Sequence, residues 1–296
     1  MAITESASLT QTQMTQVTEE AQEADEAQLP ELALAPRARE LVDVMGLQLD
    51  DLDEAQVVDH VMTSLSARLG GWMATPNVNI LMQVRSDPEL ADIVAQADLV
   101  LADGMPLVWA SRLQGTPLRQ RVPGSDLLKS LSVGAAAKGF SIFLLGDDDP
   151  TTARAAANLM ERAPGLVVAG RYSPPWGYEH DAAETERIVA ELWVAAPDIV
   201  FVALGCPKQE RLMHRLRPLF PSTWFVGIGA GLAMASGDFP VAPDWMRRAG
   251  LEWVHRLRLE PRRLFKRYLL HNAPFAVTML VRSMVRGLRR RLRPSL

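Results

Sequence analysis

The sequence predicts an α/β fold in which a mostly parallel sheet is flanked by helices and followed by a basic, helical C-terminal appendage. Short apolar runs alternate along the chain with stretches of helical spacing about 10 to 15 residues long. The apolar runs lack polar alternation, which is typical of strands buried on both faces of a parallel sheet. From Pro261 to the last residue there are ten Lys or Arg and no Asp or Glu.

Apolar spacing and turn formers place the individual elements. Residues 37–69 have apolar side chains at helical intervals. The elements predicted after them are a strand at 99–104, helices at 105–114 and 124–138, a strand at 141–146, a helix at 151–162, and strands at 166–170, 199–204 and 224–228. We therefore expect at least five strands joined by right-handed crossovers, in a Rossmann-like arrangement.

Composition divides the chain into three predicted parts. Residues 1–36 contain seven acidic residues and no Lys or Arg, which is typical of a disordered tail. Residues 37–245 form the α/β domain, and residues 246–296 form the basic appendage. Neither a signal peptide nor a membrane-spanning apolar segment is expected. The single cysteine, Cys206, fits a reducing cytoplasm.

The appendage carries an apolar stretch between two groups of basic residues. Tyr268–Val281 is interrupted by Pro274 and is too short to span a bilayer. Basic groups on both sides suit a segment that lies on an anionic membrane surface. Nucleic acid and a plain solvated helix are the alternatives, but few aromatics and an acidic body argue against nucleic acid. We expect a protein at the cytoplasmic face of the cell membrane.

The run Asp198–Glu210 places polar side chains at the end of a buried strand. The strand breaks at Gly205, and Lys208, Gln209 and Glu210 then open a helix. Ligands of open α/β sheets bind at the carboxyl ends of the strands, so a polar, phosphate-bearing ligand is expected here. The alternative is a helix-opening turn in which Glu210 complements the helix dipole.

A strand end and a Pro-stiffened turn also carry candidate chemistry. Asp103, immediately before Gly104, follows a buried strand, where a desolvated carboxylate can act as a general base. The alternative is an Asp that caps the next helix. Thr75 and Asn77 offer a hydroxyl and an amide to sugar hydroxyls, although the same residue types are ordinary turn formers.

Two motifs have weaker functional interpretations. Asp147–Asp149 resembles an acidic pair that holds a divalent metal, but Pro150 favours a loop that opens a helix, so no metal is expected. Gly227 and Gly229 follow a strand as in a dinucleotide fingerprint, yet the third glycine of that motif falls at Leu232. An NAD-dependent oxidoreductase that acts on nucleotide sugars is therefore kept as an alternative function.

The appendage also contains candidate diphosphate ligands. Arg256 and Arg263 lie seven residues apart, hence on one face of a helix if that helix tolerates Pro261. Guanidinium groups bind diphosphates through paired, charge-assisted hydrogen bonds. The alternative is a solvated basic face.

The order and spacing of these motifs resemble the WecG/TagA/CpsF glycosyltransferases (glycosyltransferase family 26) over roughly residues 40–268. The motifs that carry the resemblance are Thr75-x-Asn77, Asp103-Gly104, Arg121-x-x-Gly124, Leu144-Leu145-Gly146, Gly205-x-Pro207-Lys208-Gln209-Glu210, Gly227-x-Gly229, Ala242-Pro243-x-Trp245 and Glu252-Trp253-x-x-Arg256.

This resemblance implies an inverting transfer from a UDP-sugar to a polyprenyl-diphosphate-linked sugar at the cytoplasmic membrane face. The transferred sugar would be N-acetylmannosamine, its uronic acid, or a hexose such as glucose. The product would serve the assembly of teichoic acid, enterobacterial common antigen or exopolysaccharide. No cofactor is implied, and the chain is a candidate homo-oligomer.

The resemblance also implies roles for individual residues. Asp103 would be the base that deprotonates the acceptor hydroxyl. Arg256, Arg263, Lys266 and Arg267 would bind the UDP diphosphate. The substrate-binding residues would be Thr75, Asn77, Gly104, Arg121, Gly124, Lys208, Gln209, Glu210, Gly227 and Gly229.

Three sites depart from the family pattern. An aromatic-Asp pair usually follows the Gly-rich loop, and an Arg usually precedes Ala-Pro; this chain has Leu232, Ala233 and Val241 there. The Pro that usually precedes Asp-Gly is Ala102. The loss of an acid and a base favours a neutral donor sugar such as glucose. A third hypothesis is a non-catalytic membrane-surface scaffold, in which these departures mark lost activity.

Overall fold

The computed structural model describes residues 40–248 and 250–292, apart from the side chains of Asp244, Arg248, Arg263 and Arg267. The predicted acidic tail, residues 1–36, lies outside the described residues. The described chain is an α/β structure with a six-stranded parallel sheet, flanking helices and a helical C-terminal segment. The predicted fold class is therefore confirmed.

A β-hairpin stands where the sequence predicts the start of a helix. Strands β1 (Leu41–Val44) and β2 (Leu47–Asp50) pair antiparallel, and helix α1 begins only at Glu54 (Glu54–Ser66). The helical prediction for 37–69 is thus wrong in its first part. Buried side chains alternate along β1 and from Leu47 to Leu49 of β2. The Met45-Gly46 turn has two positive φ angles, which suit a two-residue hairpin loop.

Six strands form the central sheet. They are β3 (Gly71–Ala74), β4 (Leu99–Val100), β5 (Ser141–Gly146), β6 (Val167–Tyr172), β7 (Ile199–Ala203) and β8 (Trp224–Gly227). Their order is β4-β3-β8-β7-β5-β6, and every neighbouring pair is parallel. All carboxyl ends therefore lie at the same edge of the sheet.

Helices cover both faces of this sheet. After α1 they are α2 (Val78–Ser86), α3 (Pro88–Ala95), α4 (Met105–Leu113), α5 (Gly124–Lys138), α6 (Asp149–Arg162), α7 (Ala182–Ala195), α8 (Lys208–Leu216) and α9 (Gly231–Ala235). Phe143 and Leu145 of β5 face the core formed with α2, α3, α4, α7 and α8. Ile142 and Leu144 face the core formed with α1, α5, α6 and α9. Because the helices after β3 and β8 lie on opposite faces, a crevice opens between those two strand ends.

The C-terminal segment consists of short helices and one long one. They are α10 (Asp244–Arg248), α11 (Glu252–Leu259), α12 (Pro261–Phe265), a π-helix (Lys266–Asn272) and α13 (Ala273–Arg291). Since α11 ends before Pro261, Arg256 and Arg263 belong to separate helices. The long helix α13 buries Met279 and Ser283 and packs along α4. None of the helices that the structure describes has both the length and the apolarity needed to cross a membrane. The domain boundary at residue 245 stays a prediction.

Several predicted elements are confirmed closely. The helix at 124–138 and the strand at 141–146 have the predicted bounds. The strand predicted at 99–104 ends at Val100, and the chain continues beside β3 through single hydrogen bonds from Leu101 and Asp103. Strand β3 has no counterpart among the predicted elements.

Candidate active site

Asp103 lies just beyond the carboxyl end of β4, against the turn that follows β3. Its backbone nitrogen donates a 2.9 Å hydrogen bond to the carbonyl oxygen of Pro76. Gly104 stands beside Asn77, whose Cβ would be 3.7 Å from a Cβ at position 104. The Asn77 side chain caps α2 by accepting from the Asn79 amide at 3.0 Å. The structure therefore brings Asp103, Gly104 and Asn77 together, while their substrate contacts stay predictions.

Asp103 is half-buried at the mouth of the crevice, and its carboxyl has an unusual protonation equilibrium. Burial raises its pKa to about 6. The charges of Arg121 and Arg256 lower this pKa, whereas those of Glu252 and Asp126 raise it further. A carboxyl that is half protonated near pH 6 accepts a proton from a hydroxyl more readily than an ordinary Asp does. This position suits a general base.

The strand ends of β3 and β8 are tied together beside Asp103. Thr75 Oγ1 donates to the carbonyl oxygen of Gly227 at 3.0 Å inside the protein. Helix α5 begins directly against this pair, because a Cβ at Gly124 would stand only 2.6 Å from the Gly227 oxygen. Glycine is the residue that permits so close an approach of two backbones. Thr75, Gly124 and Gly227 thus form the floor of the crevice.

Gln209 and Glu210 lie beneath the Gly-rich loop that follows β8. Gln209 Oε1 accepts from the Gly229 amide at 3.2 Å, and Gln209 Nε2 donates to Glu210 Oε1 at 2.9 Å. Only 1% of Gln209 and none of Glu210 is exposed. Burial raises the Glu210 pKa, although hydrogen bonds from Gln209, its own backbone and Cys206 oppose this. In this arrangement the pair supports the loop, and direct contact with substrate stays a prediction.

Lys208 lies further along the carboxyl-end edge of the sheet. Its ammonium group pairs with the Glu179 carboxylate and lies 4.4 Å from the centre of the Trp176 ring. Trp176 is 96% exposed, and the Tyr178 hydroxyl donates to the Lys208 carbonyl oxygen at 3.4 Å. Lys208 is thus held in place by three neighbours, and its predicted role in substrate binding stays a prediction.

A ring of four charged side chains joins α10 and α11 to the start of α5. Arg121 pairs with Glu252, and its Nη2 lies 3.9 Å from Asp126 Oδ2. Arg247 Nη2 lies 2.5 Å from Asp126 Oδ2, and Arg247 Nε lies 3.4 Å from Glu252 Oε1. Burial lowers the Arg121 pKa, but the hydrogen bond and charge of Glu252 and the other carboxylates raise it on balance. We call this set the charge ring.

Helix α11 carries Arg256 to the mouth of the crevice. Arg256 Nη2 lies 3.4 Å from Met234 Sδ on α9, and its charge lowers the pKa of Asp103. Just before the helix, Gly250 packs tightly on Met105 at the start of α4, where an added Cβ would be 2.7 Å from Met105 Cβ. Arg256 therefore lies within electrostatic range of Asp103.

The other candidate diphosphate ligands lie further along the C-terminal segment. Lys266 is exposed in the π-helix. The side chains of Arg263 and Arg267 lie outside the described residues. The diphosphate-binding roles of these residues, and of Arg256, stay predictions.

Comparison with known proteins decides the family. The sequence matches the family model described as "Glycosyl transferase WecG/TagA/CpsF family" across residues 42–290. This chain belongs to that glycosyltransferase family. The resemblance stated from the motifs is confirmed, and the chain is an enzyme of the transferase class.

Relatives of this WecG/TagA/CpsF member include three proteins named N-acetylglucosaminyldiphosphoundecaprenol N-acetyl-beta-D-mannosaminyltransferase. The one from Bacillus spizizenii strain W23 is 35% identical over 73% of this chain and 83% of its own length. The one from Bacillus subtilis strain 168 is 34% identical over 73% of this chain and 81% of its own length. The one from Staphylococcus aureus strain NCTC 8325 is 28% identical, with 75% and 86% covered.

The positions at which this WecG/TagA/CpsF member departs from the family pattern have distinct surroundings. Leu232 is fully buried in the core between the sheet and α5. Ala233 lies on α9, where its carbonyl oxygen accepts from the Phe239 amide at 3.0 Å. Val241 is 40% exposed. Ala233 thus follows the Gly-rich loop by two residues, on the short helix α9.

The acidic run at Asp147–Asp149 opens a helix, as the loop interpretation expects. Asp148 caps α6 by accepting from the Thr151 amide at 2.7 Å, and Asp149 pairs with Arg171.

The sequence predicts no role for three members of the charge ring, namely Asp126, Arg247 and Glu252. The Glu252-Trp253 motif is the sequence signal that points to one of them.

Proposed function

We propose that this glycosyltransferase moves a sugar from a UDP-sugar to a polyprenyl-diphosphate-linked sugar, with Asp103 as the general base. The observation that carries the proposal is the Asp103 carboxyl, with its pKa raised to about 6, at the strand ends and close to Arg121 and Arg256. Relatives named as transferases to N-acetylglucosaminyldiphosphoundecaprenol support the acceptor class.

In the proposed reaction Asp103 takes the proton of the acceptor hydroxyl. The hydroxyl oxygen attacks the anomeric carbon of the donor sugar from the face opposite the diphosphate. The bond to the UDP oxygen breaks, UDP leaves with the electron pair, and the anomeric configuration inverts. Arg256 would stabilise the charge that develops on the leaving diphosphate, assisted by Arg263, Lys266 and Arg267.

The donor sugar is proposed to be a neutral hexose such as glucose, with N-acetylmannosamine and its uronic acid as the alternatives. Ala233 and Val241 support this choice because they lack the acid and the base that are usual in the family at these positions. Glucose carries neither the carboxylate of the uronic acid nor the acetamido group of N-acetylmannosamine, so it needs fewer charged and polar partners in its pocket than either.

The acceptor lipid places the reaction at a membrane surface, and the C-terminal segment suits that location. The outward side of α13 exposes Val277, Val281 and Leu288, and the exposed Arg289 and Arg291 flank this apolar side near the end of the helix. An apolar helix side flanked by basic groups favours binding to an anionic leaflet. We therefore propose peripheral association with the cytoplasmic face of the cell membrane.

The test is a transfer assay with the full chain and a soluble N-acetylglucosaminyl diphosphate lipid of short chain length. UDP-glucose, UDP-N-acetylmannosamine and the uronic acid donor are compared, and NMR of the product gives its anomeric configuration. We expect equal amounts of UDP and of an inverted glycoside. No transfer with any donor would overturn the proposal in favour of a scaffold, and a nicotinamide absorbance change would favour the oxidoreductase.

A further inference from the structure

The charge ring connects the catalytic crevice to the C-terminal segment. Asp126 lies in the first turn of α5, and Gly124 at the start of that helix contacts Gly227 on the crevice floor. Glu252 is the first residue of α11, and Arg256 follows it one helical turn later, on the same helix side. Whatever fixes Glu252 to α5 therefore also fixes Arg256 relative to the crevice.

Each arginine of the ring contacts both carboxylates. The exposed side-chain fractions are 11% for Arg121, 18% for Asp126, 26% for Arg247 and 28% for Glu252. Partly buried ion pairs are screened less by solvent than exposed pairs, and the planar guanidinium fork suits a bridge between two carboxylates. The ring is therefore a specific tie between α5, α10 and α11.

The ring also lies within electrostatic range of the proposed base. Arg121 lowers the pKa of Asp103, whereas Glu252 and Asp126 raise it. Arg247 compensates these two carboxylates, since it contacts both. Loss of the Arg247 charge would leave the surroundings of Asp103 more negative.

We infer that Arg247 is a positioning residue: by bridging Asp126 and Glu252 it holds α11 against α5 and keeps Arg256 beside Asp103. Arg247 does not touch the reacting atoms in this scheme. It acts through Glu252 and Arg256, and the kinetic half of the inference rests on the proposed function.

The docking half is tested without catalysis, by hydrogen–deuterium exchange of the full-length protein. Arg247→Gln removes the bridge, and Arg247→Lys keeps the charge but loses the fork. Arg258→Gln removes an exposed positive charge from α11 and is the control. Thermal denaturation checks that all three variants fold. We expect amides of 252–259 to exchange roughly tenfold faster in Arg247→Gln. Arg247→Lys should lie between that variant and the wild type. If these amides exchanged at the same rate in Arg247→Gln as in the Arg258→Gln control, the inference that Arg247 holds α11 against α5 would be overturned.

The kinetic half is tested by the pH dependence of kcat/KM with the donor and acceptor found in the transfer assay. In Arg247→Gln, displacement of Arg256 removes a charge that lowers the pKa of Asp103, so this pKa should rise. The acid limb of the profile, where kcat/KM falls as the pH decreases, should therefore move to higher pH by about half a unit or more. It should return towards the wild-type position in Arg247→Lys and stay there in Arg258→Gln.

Hydrogen–deuterium exchange and the pH dependence of kcat/KM test the two halves of the inference independently. Faster exchange with an unmoved acid limb would overturn the positioning role toward Asp103. A wild-type protein without transfer activity would overturn the proposed function, and the exchange experiment would still decide the docking.

Discussion

Asp103 and Pro76 share a backbone hydrogen bond in which the Asp103 nitrogen donates to the Pro76 carbonyl oxygen at 2.9 Å. This bond joins the turn after β4 to the turn after β3. The hydroxyl of Thr75, in the same turn, donates to the Gly227 carbonyl oxygen after β8. Three neighbouring strand ends are thus connected, so the proposed base stands on the rigid edge of the sheet rather than on a free loop.

Replacement of Asp103 by Asn should lower kcat by about 10²–10⁴-fold, because the amide cannot take the acceptor proton. Donor binding should change little, since the residue keeps its shape. Initial rates of UDP release and isothermal titration with UDP measure the two effects. Asp92→Asn, which alters an exposed carboxylate on α3, is the control. A variant with near-native kcat would show that Asp103 is not the base.

The pH dependence of kcat/KM should report the raised pKa of Asp103. The base must be deprotonated, so activity should be constant well above pH 6 and fall about tenfold per unit below it. Arg256 lowers this pKa, so Arg256→Gln should move the acid limb to higher pH. Rates measured from pH 4.5 to 8.5 test both statements. A limb centred near pH 4 would contradict the assignment.

The strands of the sheet were predictable to different degrees. The run Ile142–Leu145 is uniformly apolar and is bounded by Ser141 and Gly146, so the bounds of β5 follow from the sequence. Strand β3 has only four residues and begins with Gly71 and Trp72, which give neither a β-branched run nor an alternation. The spacing of Leu41, Val44 and Met45 fits a helix. The two-residue turn of the hairpin is Met45-Gly46, and this pair indicates a hairpin turn less strongly than Asn-Gly does.

The candidate site was predictable where it depends on strand ends. Asp103 and Gly227 each stand at the end of an apolar run predicted as a strand, so their position at one edge follows from a parallel sheet. Thr75 follows β3, which the sequence does not predict, so its place beside them did not follow. The charge ring was not predictable in the same way. Asp126 and Arg247 are 121 residues apart, and their pairing depends on how the C-terminal segment folds back. Only tertiary structure contains that information.

Gly124→Ala should destabilise the protein. The new Cβ would lie 2.6 Å from the Gly227 oxygen and 2.9 Å from Ile228 Cα, and neither backbone atom can move cheaply. We expect a loss of about 1–3 kcal/mol in the free energy of unfolding, measured by urea denaturation, with a lower kcat because α5 must shift. Gly134→Ala in the same helix meets movable side chains instead and is the control. Equal stability of the two variants would contradict the close approach.

Binding to anionic vesicles should depend on the basic end of α13. Arg289, Arg290 and Arg291 are exposed, and each contributes about 1 kcal/mol near an anionic surface. Their joint replacement by Gln should therefore weaken binding by roughly 100-fold at low salt, as measured by vesicle sedimentation. A triple variant of exposed cations on the other side of the sheet is the control: Arg68, Lys138 and Arg162 to Gln. Equal binding of both triple variants would remove the membrane role of α13.

Glu210→Gln should make the protein more stable at neutral pH. Burial raises the folded-state pKa of Glu210 above its unfolded value. The folded state therefore binds the Glu210 proton more tightly than the unfolded state does. The contribution of this proton to the free energy of unfolding is complete below about pH 4.5 and is lost as the pH rises through the folded-state pKa. Gln keeps the oxygen that accepts from Gln209 and has no proton to lose. The difference in Tm between Glu210→Gln and the wild type should thus grow from pH 4.5 to pH 8, whereas Glu161→Gln on the exposed side of α6 should show no such trend. If the difference in Tm between the two proteins stayed constant from pH 4.5 to pH 8, Glu210 would keep one protonation state over this range. That result would contradict the raised pKa of its buried carboxyl.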